Sequence, residues 1–187
     1  MQYFDRGAVN KIVSDLELAP SNRRLVQHWL SLWSGNALPD RAAIKPADLK
    51  PLLSNLILFD VVPGKSVVVR LAGTMFNIVL GAELTGRDWV AQAPEEYRAE
   101  RLRIFSDIAA GAIGRGVRSL AMSTGDTHSC EEIILPFRSD RESDARMVLA
   151  HIDLDIGRSE AKIASQEHAM GPPLAFETIL LPLLKAA

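Results

Sequence analysis

Two kinds of hydrophobic pattern alternate along the chain, and they predict different elements. Apolar residues that recur every three or four positions predict amphipathic helices, whereas continuous or alternating apolar runs predict strands. The first pattern predicts a short helix over residues 8–16 and a second helix over residues 23–33, with Ser21 in position to cap it. These two helices would form an N-terminal extension.

The pattern then changes to strands joined by a tight turn. Leu56 to Val62 and Val67 to Ala72 are apolar and rich in β-branched residues. The Pro63-Gly64 pair between them is typical of a turn, so the two runs predict a β-hairpin. Helical spacing over residues 74–80 predicts a short helix directly afterwards.

A longer amphipathic helix is predicted from Pro94 to about Ala110. Pro94 would occupy the first helical position, where its missing N–H costs nothing, and Gly111 is the expected stop. Three further strands, in an antiparallel meander, are predicted over residues 116–123, 130–137 and 147–155.

The order of these elements defines the fold class. Helices, two strands, more helices and three strands predict an α+β fold, with a five-stranded antiparallel sheet and helices on one face. We divide the chain into an N-terminal helical extension (residues 1–37), a central domain (residues 38–156) and a C-terminal tail (residues 157–187). The tail is apolar over residues 174–184 and is predicted to dock, with space for one short helix.

Length and charge describe one soluble globular domain. The 187 residues carry 21 lysines and arginines against 23 aspartates and glutamates, and 48% of the residues are hydrophobic. A formal net charge of −2 argues against the basic surface that nucleic-acid binding needs. Arg23 and Arg24 at one helix start support a DNA-binding hypothesis only weakly, so nucleic acid is not an expected partner.

The single cysteine, Cys130, points to a reducing compartment, because it cannot form a disulfide within the chain. The first 18 residues carry acidic side chains and lack the apolar core of a secretory signal. The longest apolar run near the end, residues 179–184, is far too short to cross a bilayer. We therefore expect a cytoplasmic protein with no membrane contact.

Side chains that could catalyse a reaction or bind a metal do not form a recognisable set. His128, Ser129 and Cys130 are consecutive in a strand, so neighbours point to opposite faces and cannot form a nucleophile–base pair. The four histidines lack metal-ligand spacing. The chain is therefore not expected to be an enzyme or to hold a metal.

Arginines in apolar surroundings are stronger candidates for chemistry. Arg70 lies in the second predicted strand, where a buried guanidinium needs a carboxylate or an anionic ligand. Arg87 and Arg118 are similar candidates, and Glu132 is a candidate partner inside the sheet. A surface-facing or salt-bridged arginine is the commoner outcome for each of them.

Both faces of the predicted sheet carry apolar side chains, because both alternating sets within residues 130–137 contain them. The central helices would cover one face, and the N-terminal helix or a second subunit would cover the other. We therefore predict an interface with a partner or a second copy at Leu25, Trp29, Leu32 and Trp33. The alternative is that these four residues cap the chain's own sheet.

Four short segments carry a family resemblance. They are PDRAAIKP at residues 39–46, RLAGT at 70–74, LGAELTG at 80–86 and EEIILPF at 131–137. In this order and spacing they resemble the PAS domain family, in particular the bacterial stand-alone type known as the fifth PAS subgroup, over residues 38–155. The resemblance implies a PAS-like sensor fold, in which a curved antiparallel sheet cradles helices around a space for a small ligand or cofactor.

The resemblance also implies sensing or docking rather than catalysis. We expect a single-domain sensory protein that binds a small ligand, a partner protein or both, and that signals through changed protein–protein contacts. The expected partners are a second copy in a homodimer and a separate signalling protein such as a kinase or regulator. The alternative is a ligand-free adaptor or dimerisation module that acts through its N-terminal helix and its tail.

The implied pocket lies between the inner sheet face and residues 74–110. Its lining, chosen by strand parity and by the resemblance, is predicted to be Arg70, Met75, Phe76, Trp89, Phe105, Leu120, Ile133 and Leu135. The cofactor is not identified, but haem and photoactive flavin are disfavoured. The long helix lacks the histidine of haem-binding relatives, and Cys130 lies in a strand rather than in the helical region. His151 leaves an unconventional haem site as the remaining option.

Overall fold

A computed structural model describes residues 2–76, 82–121, 127–138, 145–154 and 175–184 of the chain. Its helices are α1 (Arg6–Asp15), α2 (Pro20–Ser31) and α3 (Glu95–Ala109). Its strands are β1 (Leu56–Val62), β2 (Ser66–Ala72), β3 (Ala112–Ala121), β4 (Thr127–Phe137), β5 (Arg146–Asp153) and β6 (Ala175–Leu180). The strands form one antiparallel sheet in the order β2-β1-β5-β4-β3-β6.

The sheet confirms the α+β prediction and corrects its size. β1 has the predicted bounds, and β2 begins one residue earlier than predicted. The sheet has six strands rather than five within the described residues, because β6 from the tail pairs antiparallel with β3. The prediction of a short helix in the tail is therefore wrong for residues 175–180. Pairing with β3 satisfies backbone groups that would otherwise lie at an open sheet edge.

The helix ends show which local signals were correct. α2 begins at Pro20, which occupies the first turn, and Ala19 is its N-terminal cap residue rather than Ser21. The Ser21 hydroxyl instead donates a hydrogen bond to Asp153, at 2.5 Å. α3 ends before Gly111, as predicted, and Gly111 has a φ of +111° that favours glycine. Of the predicted helix over residues 74–80, residues 74–76 are helical and the others lie outside the described residues.

Helices cover both faces of the sheet, and of the two coverings expected for the second face the N-terminal helices are the one observed. α3 packs on one face, called here the inner face, in a cluster with Phe59, Ile134 and Val148. α1 and α2 pack on the opposite, outer face, in a cluster with Ile133 and Leu135. The chain therefore has two apolar clusters that share a single sheet.

The outer cluster corrects the predicted interface. Leu25, Trp29 and Trp33 are 1%, 0% and 4% exposed, and Leu32 is half-buried against the same cluster. The chain's own sheet removes these side chains from water, so they are not available at the surface. The structure thus favours the alternative in which they cap the sheet.

Polar contacts fix α2 on the outer face. Trp29 donates its indole N–H to the Pro136 carbonyl oxygen, at 2.9 Å. Asn22, which is fully buried, donates from Nδ2 to the Glu131 carboxylate and accepts from His151 Nδ1 at 2.6 Å. Buried polar groups with partners in place specify one orientation of a helix, because a shift would leave them unsatisfied.

In the part of the chain that the structure describes, no helix is long and apolar enough to cross a membrane.

Candidate functional site

A small cavity lies between the inner sheet face and α3. Its volume is about 20 Å³, which is enough for about one water molecule. The lining comes from β1, α3, four further strands and the segments before α3, and it is mainly aromatic and aliphatic. The lining residues are Ile57, Phe59, Phe76, Trp89, Tyr97, Arg101, Ile104, Phe105, Arg118, Glu132, Ile134, Ala150, Ile152 and Phe176.

A buried ion pair forms the polar wall of the cavity. In the β3–β4 ladder, Arg118 lies opposite Cys130 and Glu132 lies opposite Gly116, so the two charged residues are diagonal neighbours on one face. Arg118 Nε donates to Glu132 Oε2 at 2.9 Å, and the two side chains are 13% and 7% exposed. Burial acts to lower the pKa of Arg118, but Glu132 more than offsets this and raises it above its usual value. The sequence-based expectation that Glu132 pairs with an arginine inside the sheet is confirmed for Arg118.

The second oxygen of this carboxylate, Glu132 Oε1, is buried and accepts no hydrogen bond from any described residue. It lies beside Gly116, where an added Cβ would be 2.5 Å from Oε1 and 2.8 Å from the Phe176 ring. Glycine at this position therefore allows the carboxylate and the ring to approach the strand closely. A buried carboxylate oxygen without a donor is energetically unfavourable.

Arg101 on α3 brings a second guanidinium to the cavity. It is 2% exposed, and its Nη1 donates to the Trp89 carbonyl oxygen at 3.0 Å. Its Cζ atom lies 5.1 Å from the Trp89 ring centroid and 5.3 Å from that of Tyr97, within the range of cation–π contacts. Burial, with Arg118 adding to it, lowers the pKa of Arg101 to about 10, so Arg101 stays charged at neutral pH. Burial raises the pKa of Tyr97, which keeps its phenol neutral.

Three of the predicted lining residues, Phe76, Trp89 and Phe105, do line the cavity. Met75 is half-buried and packs against the inner cluster without lining the cavity. Leu120 belongs to β3, but its side chain lies outside the described part of the chain. The helical side of the cavity therefore contains three of the predicted lining residues, and whether they bind a ligand stays a prediction.

The predictions for Arg70, Ile133 and Leu135 are corrected. The Arg70 side chain is 45% exposed on β2, and its Nη1 lies 3.5 Å from Asp60 Oδ2. Ile133 and Leu135 pack in the outer cluster beneath α2, whereas Glu132 and Ile134 face the cavity. The more apolar set of β4 side chains was assigned to the inner face, but in the structure it meets the N-terminal helices.

A signal for the correct face was present in the sequence. If Arg118 pairs with Glu132, then Glu132 shares the face of Arg118, and strand alternation sends Ile133 to the opposite face. Tyr97, Arg101 and Phe176 were missed for other reasons. Whether Tyr97 and Arg101 reach the cavity depends on which side of α3 faces the sheet. Whether Phe176 reaches it depends on the pairing of β6 with β3, which no local pattern indicates.

Two other side chains with reactive groups, Cys130 and His151, are buried. Burial, with Glu132 adding to it, raises the pKa of Cys130 to about 11, so its thiol is protonated at neutral pH. His151 is 1% exposed and belongs to the outer face with Ile133, not to the cavity. Among the residues that the structure describes, no cluster of three histidine, cysteine, aspartate or glutamate side chains could hold a metal ion.

Comparison with protein families gives one match that covers most of this architecture. The family model described as PAS domain matches residues 18–152, well over half of the chain. The match includes α2 and ends within β5, so it extends further towards the N-terminus than the motif-based resemblance did. A search of curated proteins found no match.

Proposed function

The chain belongs to the PAS domain family, and from this premise we propose that it binds a small molecule beneath α3 and signals through changed contacts with other proteins. Membership of the family indicates a sensory or signalling role in general terms. The observation that carries the proposal of a ligand is the buried oxygen Glu132 Oε1, which lines the cavity without a donor from the described residues.

The lining supports a particular kind of ligand. A hydroxyl or N–H group would donate to Glu132 Oε1, and an apolar or aromatic body would lie against Trp89, Phe105 and Phe176. Arg118 would keep its contact with the other carboxylate oxygen, Oε2, and leave Oε1 to the ligand. The ligand is therefore a compact molecule with a hydrogen-bond donor at one end and an apolar remainder.

The size of the cavity supports a mechanism of signalling. Because its volume is about 20 Å³, a guest larger than one water molecule has to displace lining side chains. The lining joins α3 to strands β1, β3, β4, β5 and β6, so such repacking reaches the surface at several elements. A guest that binds the repacked state more tightly shifts the population towards it. A separate signalling protein, such as a kinase or regulator, would respond to that state.

Two further features support the remaining parts of the proposal. The protonated thiol of Cys130 supports a role in binding rather than catalysis. A single buried cysteine also supports a reducing, cytoplasmic location. Neither haem nor a photoactive flavin is part of the proposal, because the chemistry offered to a guest is a carboxylate acceptor in an aromatic wall.

Native mass spectrometry of freshly purified protein, compared with its denatured mass, tests the proposal. We expect a stoichiometric excess mass in the native spectrum that disappears on denaturation. The excess should be lost in Glu132→Gln, which replaces one carboxylate oxygen by an NH2 group and removes the negative charge. It should remain in Glu177→Gln, a matched carboxylate that also pairs with an arginine but is half-exposed on β6. Equal retention in both variants would contradict the assigned site.

A second candidate, the ligand-free adaptor, is favoured by one observation. The cavity beneath α3 has space for about one water molecule only. The tail, by contrast, exposes three leucines: Leu180 (75%), Leu183 (56%) and Leu184 (49%). In this alternative the function belongs to the N-terminal helix and the tail. A bare polypeptide mass in the native spectrum would favour the adaptor over the sensor.

A further inference from the structure

We propose that the Phe176 ring occupies the place of the ligand's own ring, and that a monocyclic phenol binds by displacing it towards the surface. The site is the one already proposed to bind a ligand, so this inference rests on the proposed function. Two glycines of β3, the burial of the lining rings and the position of Glu132 Oε1 carry it.

Two glycines of β3 make the space in which the Phe176 ring lies. An added Cβ at Gly114 would be 2.9 Å from Cζ of the ring, and an added Cβ at Gly116 would be 2.8 Å from Cδ2. The register places Phe176 directly opposite Gly116. A side chain at either glycine would fill part of the space that the ring now fills. Glycine in a strand often marks a place where another group approaches the backbone closely.

Without the Phe176 ring, this space would form an apolar site of the size of one ring. Its walls beside Gly114 are Ile108 of α3 and Ile134 of β4, at 2.7 Å and 3.2 Å from the position of the added Cβ. Both isoleucines are buried. An apolar space of about this kind inside a protein binds benzene-sized molecules. A guest with one six-membered ring therefore fits where the Phe176 ring lies.

Phe176 is the lining aromatic residue that can leave at the lowest cost. The described lining includes six aromatic side chains; five of them are between 1% and 9% exposed, whereas Phe176 is half-buried. Its strand, β6, lies at the edge of the sheet and pairs with β3. The family match ends at residue 152, before this strand. The ring that closes the site is thus contributed from outside the matched residues.

The cavity and Glu132 Oε1 select the polar group of the guest. The volume of about 20 Å³ suits one water molecule, and therefore also one hydroxyl group. Oε1 accepts no hydrogen bond from the described residues, and it lies 2.5 Å from the same Cβ position at Gly116 that adjoins the ring. A hydroxyl on a ring in the place of Phe176 would lie beside this oxygen and donate to it. A bond to a carboxylate is stronger than one between neutral groups.

Isothermal titration calorimetry with phenol distinguishes an occupant of the site from a wall. If the Phe176 ring competes with the guest, only the fraction of molecules in which the ring is displaced can bind. Phe176→Ala removes the competitor, so we expect it to bind phenol at least about tenfold more tightly than the wild type. If the ring were a wall that contacts the guest, Phe176→Ala would bind phenol as the wild type does or more weakly. That result, or no binding of phenol to either protein, would overturn the proposal.

Ile179→Ala is the matched control for a loosened strand. It truncates a large apolar side chain of β6 that packs against the outer cluster, not in the cavity. We expect it to bind phenol with the affinity of the wild type. A gain equal to that of Phe176→Ala would assign the effect to weaker attachment of β6 and would contradict a competing ring.

Comparison of phenol with benzene tests the contact with Glu132. Phe176→Ala should bind phenol about tenfold more tightly than benzene, because the hydroxyl supplies a donor to a buried oxygen. This preference should fall when Glu132→Gln is added, since the second change removes one carboxylate oxygen and the negative charge. Equal affinity of Phe176→Ala for the two probes would show an apolar space only and would overturn the phenolic class.

A measurement on the wild type does not depend on how Phe176→Ala folds. In nuclear Overhauser spectra of the free protein, the Phe176 ring protons should be close to the α protons of Gly114 and Gly116. Saturating phenol should replace these contacts by contacts from its own ring. Persistence of the Phe176 contacts at saturation would overturn the proposal.

The role of Phe176 and the sensor function can fail separately. A native mass excess that Glu132→Gln removes, combined with unchanged phenol affinity in Phe176→Ala, would leave the sensor in place and overturn the competing ring. The native spectrum reports whether a ligand is retained, whereas the phenol titrations report which side chain it displaces.

Discussion

His151 shows how burial and one neighbour set the state of a single side chain. Asn22 donates from Nδ2 to Glu131, so its Oδ1 is the acceptor, and His151 Nδ1 must carry the proton that it donates. Both the neutral imidazole and the imidazolium can donate from Nδ1, so the pKa of His151 decides its charge. Burial lowers the pKa of His151 to about 4, and the nearby Asp153 acts in the opposite direction without offsetting it.

This lowered pKa predicts a loss of stability in mild acid. In the unfolded chain the histidine takes up a proton near pH 6.5, whereas in the folded chain it does so only near pH 4. The unfolded state therefore binds more protons as the pH falls through this window, and folding weakens. We expect a loss of about 3 kcal/mol in the free energy of unfolding between pH 7 and pH 4 from this residue alone.

Urea unfolding across this pH range, for the wild type and His151→Gln, measures that loss. Glutamine keeps a donor for Asn22 but does not titrate, so the difference between the two pH profiles isolates the imidazole. The carboxylates titrate in both proteins and cancel. Parallel profiles would show that His151 does not carry the acid sensitivity.

β4 shows how far single residues of the site could be predicted. Its two side-chain sets both contain isoleucine, so hydrophobicity alone could not assign Ile133 and Ile134 to their faces. The structure places the polar Glu132 on the inner face because Arg118 across the ladder pairs with it there. Trp89 and Phe105 line the cavity, where the sequence placed them. Their large aromatic side chains lie in or just before α3, and they are buried by packing on the inner face of the sheet.

At the scale of elements, α2 is a structural part of the domain. Its Trp29 is fully buried, contacts the Trp33 ring edge-on with centroids 5.1 Å apart, and donates a hydrogen bond to β4. The family match also includes this helix. The helix that sequence analysis separated as an extension therefore belongs to the core of the fold.

Replacement of Trp29 by alanine should accordingly lower the free energy of unfolding by about 3–5 kcal/mol, because it leaves a cavity and removes the indole donor to the Pro136 carbonyl oxygen. Leu32→Ala, on the same helix but half-buried, should cost less. Chemical denaturation followed by circular dichroism provides the measurement. If both variants cost the same small amount, α2 would be loosely attached and not part of the core.

Elements were predictable where the signal is local. β1 has its predicted bounds because an apolar run ends there at a proline–glycine turn, and α3 ends before Gly111 for a similar reason. β6 was not predictable, because its six residues become a strand only by pairing with β3, some sixty positions earlier. Local sequence does not contain the partner of a strand.

At the scale of the whole molecule, two apolar clusters lie on opposite faces of one sheet, and neither can lose its strands without exposing the other. We therefore expect a single cooperative unfolding transition. Trp89 reports on the inner cluster, and Trp29 and Trp33 report on the outer cluster. Two variants separate these signals: Trp89→Phe, and the double variant Trp29→Phe/Trp33→Phe. In a guanidinium titration of each variant, the unfolding midpoint from fluorescence should coincide with the midpoint from far-ultraviolet circular dichroism. An earlier transition seen only by Trp29 and Trp33 would contradict this.

Phe176 brings the C-terminal strand into the candidate site, because its ring lines the cavity while its backbone belongs to β6. A guest that moves this ring acts on β6 as well as on the middle of the sheet, and a protein that binds at β6 acts back on the cavity. Such coupling is reciprocal. A ligand in the cavity and a protein bound at β6 would therefore change each other's affinity by the same factor.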